Sequence, residues 1–160
     1  MGPASISNSP KKPMIDIRAI RQSDVDACYD IVRDNWNKAI ADRFLIEVAH
    51  VWAIEMDNPP SYYVADNDRG EIIAFAGMMS SFLMDGVWDI PWVNVKQGFQ
   101  KEGLGSRLMT HMIGEIKQCG GGVIHLMTKT PDYFVKLGFT KVTEYGDWNL
   151  MSRYLRPLKL

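Results

Sequence analysis

From Met14 to Arg18, apolar and polar residues alternate with the period of a half-buried strand. Ser23 then stands where a helix N-cap belongs, with Asp24 and Asp26 in the first turn, where negative charge suits the helix dipole. Val25, Cys28, Ile31 and Val32 follow at helical spacing. A second helix is predicted from Ala39 to Met56, ended by Asn58-Pro59-Pro60. Strand signals dominate afterwards: Ser61 to Ala65, a turn-rich loop over Asp66 to Gly70, and a long run from Glu71 to Leu83 whose apolar centre implies burial on both faces. Asp85-Gly86 is another hairpin signal and leads into Val87 to Val95. Leu104, Leu108, Met112 and Ile116, with Met109 and Ile113 beside them, form one apolar stripe on a helix predicted from Gly103 to Gln118. Gly120-Gly121-Gly122 stops it and opens a strand over Val123 to Thr128. Thr130 is placed to cap a short helix with Pro131 at its first position, and the stretches Phe139 to Tyr145 and Trp148 to Leu155 close the series.

The predicted order is β-α-α-β-β-β-α-β-α-β-β. Hairpins join the central strands, so the expected class is α/β (α+β), with a mixed and mainly antiparallel sheet flanked by helices. No internal repeat is visible. One domain is expected over residues 14–160, behind a small, polar, proline-bearing and disordered arm over residues 1–13.

Composition mostly excludes. The 160 residues are 46% hydrophobic and 23% charged, an ordinary globular balance. A formal charge of −1 leaves no basic surplus for nucleic acid. Aromatics at 11% are too many for a disordered acidic tail. Two cysteines, Cys28 and Cys119, make neither a disulfide scaffold nor a metal-site spacing, and no metal is expected. No apolar run approaches the roughly 18 residues of a membrane span, and the start has no apolar stretch of the signal-peptide kind. A cytoplasmic protein with no membrane or nucleic-acid partner is the expectation, as a monomer or homodimer.

The sharpest local feature is Gln100-Lys101-Glu102-Gly103-Leu104-Gly105-Ser106, between a strand and an amphipathic helix. Glycines at such a turn let backbone N–H groups converge without Cβ obstruction, and the helix N-terminus adds about half a positive charge. Together they suit a phosphate or pyrophosphate. The nucleotide P-loop pattern fails, because Leu104-Gly105 stands where Lys-Ser/Thr is needed after Gly98 and Gly103. The dinucleotide fingerprint fails too, with Leu108 at its third glycine. Taken alone, Gly103 and Gly105 also suit a plain tight entry turn.

Gln100-Lys101-Glu102-Gly103-Leu104-Gly105, with Val95 five residues upstream, resembles the acyl-CoA-binding motif of the GNAT superfamily of N-acetyltransferases. Tyr133-Phe134-Val135-Lys136-Leu137-Gly138-Phe139 resembles a second segment of that family, and the element order agrees from about Ile15 to Leu155. The resemblance implies the acyl-CoA N-acyltransferase fold, with two splayed strands making a slot for the pantetheine arm of acetyl-CoA. Backbone groups around Val93 and Val95 would pair with that arm. Gln100 belongs to the loop, and the amides of Lys101, Gly103, Leu104, Gly105 and Ser106 would bind the pyrophosphate. Phe134 and Lys136 would lie near the thiol and the adenosine side.

The implied chemistry is attack of an amine on the thioester. An alkyl ammonium with pKa near 10.4 is about one part in a thousand neutral at physiological pH, so a base must help. Asp89, six residues before Val95, is the candidate, at a position where several family members carry a glutamate base. As a residue following Asp85-Gly86, it equally suits a solvated turn. The family's tyrosine position, as acid for the leaving thiolate, is Phe134 here, and the tyrosine is one place earlier at Tyr133. Either Tyr133 reaches the slot through a local adjustment or water protonates the thiolate. His125 reads as a sheet-face histidine; His50, His111 and Cys119 have no partner constellation. Trp36, Tyr145, Asp147 and Trp148 are expected on the acceptor side. The activity implied is N-acetylation of a small-molecule amine. The alternatives are a protein or peptide N-acetyltransferase and a non-catalytic acyl-CoA-binding module.

Overall fold

The computed structural model describes Gly2 and residues 14–156; the rest of the arm expected over residues 1–13, and residues 157–160, lie outside the described residues. Seven strands form one sheet: β1 (Asp16–Ala19), β2 (Ser61–Asp66), β3 (Ile72–Ser80), β4 (Val87–Val95), β5 (Gly122–Thr128), β6 (Thr140–Tyr145) and β7 (Trp148–Leu155). Among the described residues four α-helices accompany them: α1 (Val25–Asn35), α2 (Lys38–Val48), α3 (Leu104–Gln118) and α4 (Pro131–Lys136). The spatial order is β1-β2-β3-β4-β5-β7-β6. Every pairing is antiparallel except β4 with β5.

Two apolar clusters fill the two faces. On one, Cys28, Ile31 and Val32 of α1 and Ala41, Phe44 and Val48 of α2 bury against Val64, Phe75 and Trp92. On the other, the stripe of α3, from Leu104 through Met109 and Met112 to Ile116, buries with Phe134, Ile124 and Met151. The spacing read from the sequence is the spacing that packs.

The structure corrects several boundaries. Ser23 is not the cap of α1. A short 3-10 turn over Gln22–Asp24 precedes the helix, and the Asp24 carboxylate accepts from the Arg21 N–H at 2.8 Å. Asp24 therefore stands at the N-cap of α1 without a side-chain bond to it, and its carboxylate closes the preceding turn instead. α2 ends at Val48 and tightens into a 3-10 turn over Ala49–Trp52, well short of Met56. β3 stops at Ser80 and leaves Phe82, Leu83 and Met84 exposed. Thr130 gives α4 no side-chain cap; the Thr128 hydroxyl accepts from the Thr130 N–H instead, at 3.0 Å.

The β4–β5 pairing positions the site. It consists of Val87 with Val123, Trp88 with Ile124 and Asp89 with His125, and then it ends. From Ile90 onward β4 pairs only with β3, and from Leu126 onward β5 pairs only with β7. A bulge in β4 accompanies the parting: Gly77 faces Trp92 and Met79 faces Asp89, leaving two β4 residues opposite Met78. One extra residue reverses which face the following side chains take. Trp88 and Ile90 pack on the α3 side before the bulge, and Val93 and Val95 do so after it.

Candidate active site

The parted strands leave an unpaired backbone edge. The Lys96 N–H donates to the Ile73 carbonyl at 2.8 Å, so Lys96, Asn94 and Trp92 direct their backbone groups at β3. By alternation Val93 and Val95 direct theirs the other way, into the gap where β5 no longer pairs. The Val95 carbonyl is already engaged, accepting from Asn35 Nδ2 at 2.9 Å and Gln100 Nε2 at 3.2 Å. Gln100 thus ties the loop to the strand.

At the end of this edge the chain turns into α3. Gly103 caps the helix with φ of 80°, and Lys101 holds φ of 66°, the sole non-glycine residue in the left-handed region among the described residues. The first intrahelical bond runs from the Arg107 N–H to the Gly103 carbonyl, so the amides of Leu104, Gly105 and Ser106 have no helical acceptor. A Cβ at Gly105 would stand 3.1 Å from the Tyr133 hydroxyl and 3.7 Å and 3.9 Å from Val93 and Val95 side-chain carbons. The missing side chain therefore lets α4 and β4 pack close against the first turn of α3.

Tyr133 reaches from α4 to the first turn of α3, its hydroxyl 2.9 Å from Ser106 Oγ. Phe134, one position on, is buried among the α3-side cluster and meets Phe139 edge-on at 5.9 Å. Lys136 is exposed at the end of α4. The exchange of tyrosine and phenylalanine noted in the sequence therefore puts the hydroxyl at the helix N-terminus.

Asp89 occupies the last paired rung of β4 and β5, where the gap begins. Its side chain is half-buried, on the face away from α3. Further along β4 on that same face, Asn94 is buried, its Oδ1 accepting from Asn35 Nδ2 and from Trp36 Nε1, each at 3.2 Å. Trp36 stacks on Trp148 with centroids 5.8 Å apart and planes 20° off parallel. Lys129 Nζ sits 5.2 Å from the Trp148 ring centre. Two of the expected acceptor-side residues are thus in contact across the gap, joining the α1–α2 elbow to the β6–β7 hairpin.

Asn35, Asn94 and Lys129 were not singled out from the sequence. An asparagine among the apolar residues at the end of β4 was the one available signal. Cys28 is sealed in the core, where burial pushes its thiol up to about 12 and removes it as a nucleophile. Among the described residues no three His, Cys, Asp or Glu groups gather as a metal site, and no helix is long and apolar enough to cross a membrane.

The sequence model of the acetyltransferase (GNAT) family matches residues 25–139, more than two thirds of the chain. The chain belongs to this family. Solved structures agree in fold. The GNAT chain superposes on a ribosomal-protein-S18-alanine N-acetyltransferase from Escherichia coli with TM-score 0.73 at 17% identity, covering 91% of this chain and 97% of that one. The PaiA N-acetyltransferase from Thermoplasma acidophilum, solved in complex with coenzyme A, gives 0.72 at 14% identity, over 89% and 99%. An aminoglycoside 6'-acetyltransferase type Ii gives 0.72 at 20% identity, over 90% and 99%. No curated protein matches by sequence. At these identities the structural likeness carries the fold, an acyl-CoA N-acyltransferase architecture of α+β class.

Proposed function

We propose that this GNAT protein transfers an acetyl group from acetyl-CoA to the primary amine of a small molecule, by direct attack with both substrates bound. One observation carries the cofactor half: an unpaired strand edge at Val93 and Val95 runs beside a helix N-terminus whose first amides have no acceptor. A pantetheine arm is an extended amide chain that can add to such an edge as a strand does. Its pyrophosphate suits the amides of Lys101, Gly103, Leu104, Gly105 and Ser106. Gly105 fits the group, because a side chain there would crowd Tyr133, Val93 and Val95 at the edge of the cradle. Gln100 positions the loop; Phe134, buried in the α3-side core, and Lys136, exposed at the end of α4, are proposed to lie near the thiol and the adenosine side of the cofactor. Neighbours of the same fold solved with coenzyme A support the assignment.

The Trp36–Trp148 stack supports a small acceptor. It closes the acceptor side between two elements that a peptide lying across the slot would need apart. The peptide or protein reading is favoured by the Escherichia coli neighbour, whose acceptor is a ribosomal-protein alanine. In the reaction Asp89, at the mouth of the gap, attracts the ammonium and assists removal of its proton. Tyr133 or water supplies the proton for the leaving thiolate. Free Cys28 and Cys119 suit a reducing, cytoplasmic setting.

The test is a panel of amines and short peptides with acetyl-CoA, read as release of free thiol. Turnover with small amines is expected, falling about 100-fold in Asp89→Ala. Turnover with peptides alone would transfer the assignment to the second reading. Coenzyme A binding with no turnover on any acceptor would make the protein a non-catalytic module.

A further inference from the structure

We infer that His125 is a catalytic base, taking the proton of the acceptor ammonium at the mouth of the slot while Asp89 beside it stabilises the imidazolium that forms. The inference rests on the acetyltransferase reading above and deepens it.

Ile124 and Leu126 are buried on the α3 side, so His125 between them projects to the opposite face. Trp88 and Ile90 pack on the α3 side as well, so Asp89 projects with His125. The two are register partners in a parallel ladder whose strands run about 4.8 Å apart, which makes carboxylate and imidazole neighbours on one face. Both are half-buried, and among the described residues no hydrogen bond or ion pair engages either side chain. Theirs is also the last rung before the strands part, so the open slot begins at their side chains.

The flanks of His125 are otherwise without charge. Ser152 is its partner on β7, and Val123 and Met127 are its neighbours on the same face of β5. Met127 is exposed, so this face of β5 is open to an incoming acceptor. The remaining histidines have other surroundings. His111 lies on α3, edge-on to Tyr63 at 4.5 Å, and His50 is exposed beyond α2.

The chemistry gives the two groups different tasks. A general base is most effective when its pKa lies near the operating pH, which favours an imidazole over a carboxylate. A carboxylate stays charged and attracts the ammonium throughout. The imidazole takes one proton from the ammonium, freeing the nitrogen lone pair. That pair forms the C–N bond to the thioester carbonyl carbon, and the C–S bond breaks with its electrons on sulfur. The thiolate takes the second amine proton, directly or through water. The imidazolium then returns the first proton to solvent, leaving amide and thiol.

The test compares two acceptors of one shape: an alkylamine that the wild-type protein acetylates, and its hydrazine analogue, at a pH where the hydrazine is neutral and the alkylamine is not. His125→Gln should lower kcat/KM for the alkylamine about 100-fold and for the hydrazine by less than about threefold. Stabilisation by coenzyme A should be unchanged. Equal losses on both acceptors would make His125 a structural residue, and no loss would remove it from the reaction; either overturns the proposal. Should His125→Gln lose the coenzyme A shift, His125→Asn takes its place under the same criteria. A wild-type protein that acetylates no amine overturns the acetyltransferase reading itself, a result separable from the variant's behaviour.

Discussion

Lys101 sits at φ of 66° in the loop that enters α3, a conformation in which its Cβ crowds the following carbonyl. A glycine removes that crowding. Lys101→Gly should therefore raise stability by about 0.5–1 kcal/mol, or about 1–3 °C in melting temperature, in the protein without coenzyme A. The same variant should bind coenzyme A more weakly if the ammonium contributes, so stability and affinity would move in opposite directions. Lys101 was legible as a loop residue, but its backbone strain was not, because nothing in the residue type announces a positive φ. Tyr133 shows a similar limit. The exchange with Phe134 was visible in the sequence, yet only the fold shows that the hydroxyl goes to Ser106 Oγ while Phe134 goes to the core.

Among the elements, the parallel rung at the closed end of the slot depends on a glycine whose role sequence reading put elsewhere. Gly120-Gly121-Gly122 read as a helix stop, and it is one. Gly122, however, also lies against the residue that enters β4: a Cβ there would stand 1.9 Å from the Gly86 carbonyl oxygen, which accepts from the Val123 N–H at 2.8 Å. Its φ of +128° disfavours a side chain independently. Gly122→Ala should cost upwards of about 3 kcal/mol in chemical denaturation and disturb the Asp89 and His125 rung, whereas Gly120→Ala, with open space around its Cβ position, should pay only the backbone penalty. The periodic elements were the legible ones. β4 and β7 have the bounds expected from the sequence, and α3 buries the predicted stripe. The β4 bulge was illegible, since one inserted residue only resets an alternation. The Asn35–Asn94–Trp36 contacts were illegible because they join residues about sixty positions apart.

For the whole molecule, the near-neutral charge is consistent with an anionic ligand held by backbone amides rather than by a basic surface. The charge that matters most for folding is local. Arg18 of β1 donates to both Asp24 carboxylate oxygens, at 2.7 Å and 3.0 Å, and to Asp66 of β2 at 3.0 Å. The hydrogen bonds from Arg18 are the main reason the Asp24 carboxyl lies below the usual carboxylate range, against a desolvation that pushes it up. A depressed native pKa stabilises the fold above the unfolded-state value, and that stability is lost as pH falls through the native one. Acid unfolding should therefore be steeper in the wild-type protein than in Asp24→Asn, which should already have lost about 2–3 kcal/mol at neutral pH. A wild-type profile parallel to that of Asp24→Asn would contradict this account.

The central claim is that the gap between β4 and β5, ending at the α3 N-terminus, is an acyl-CoA slot. Thermal unfolding of the wild-type protein and of Gly105→Trp, each with and without coenzyme A, tests it most directly. At about 100 times the dissociation constant, coenzyme A should stabilise the wild-type protein by about 2.7 kcal/mol, a rise of about 5–10 °C. Gly105→Trp should show no rise, because an indole there has to push aside the Tyr133 hydroxyl, 3.1 Å from the Cβ position, and intrudes on the first turn of α3 where the pyrophosphate would sit. No rise in the wild-type protein, or an equal rise in the variant, would contradict the slot.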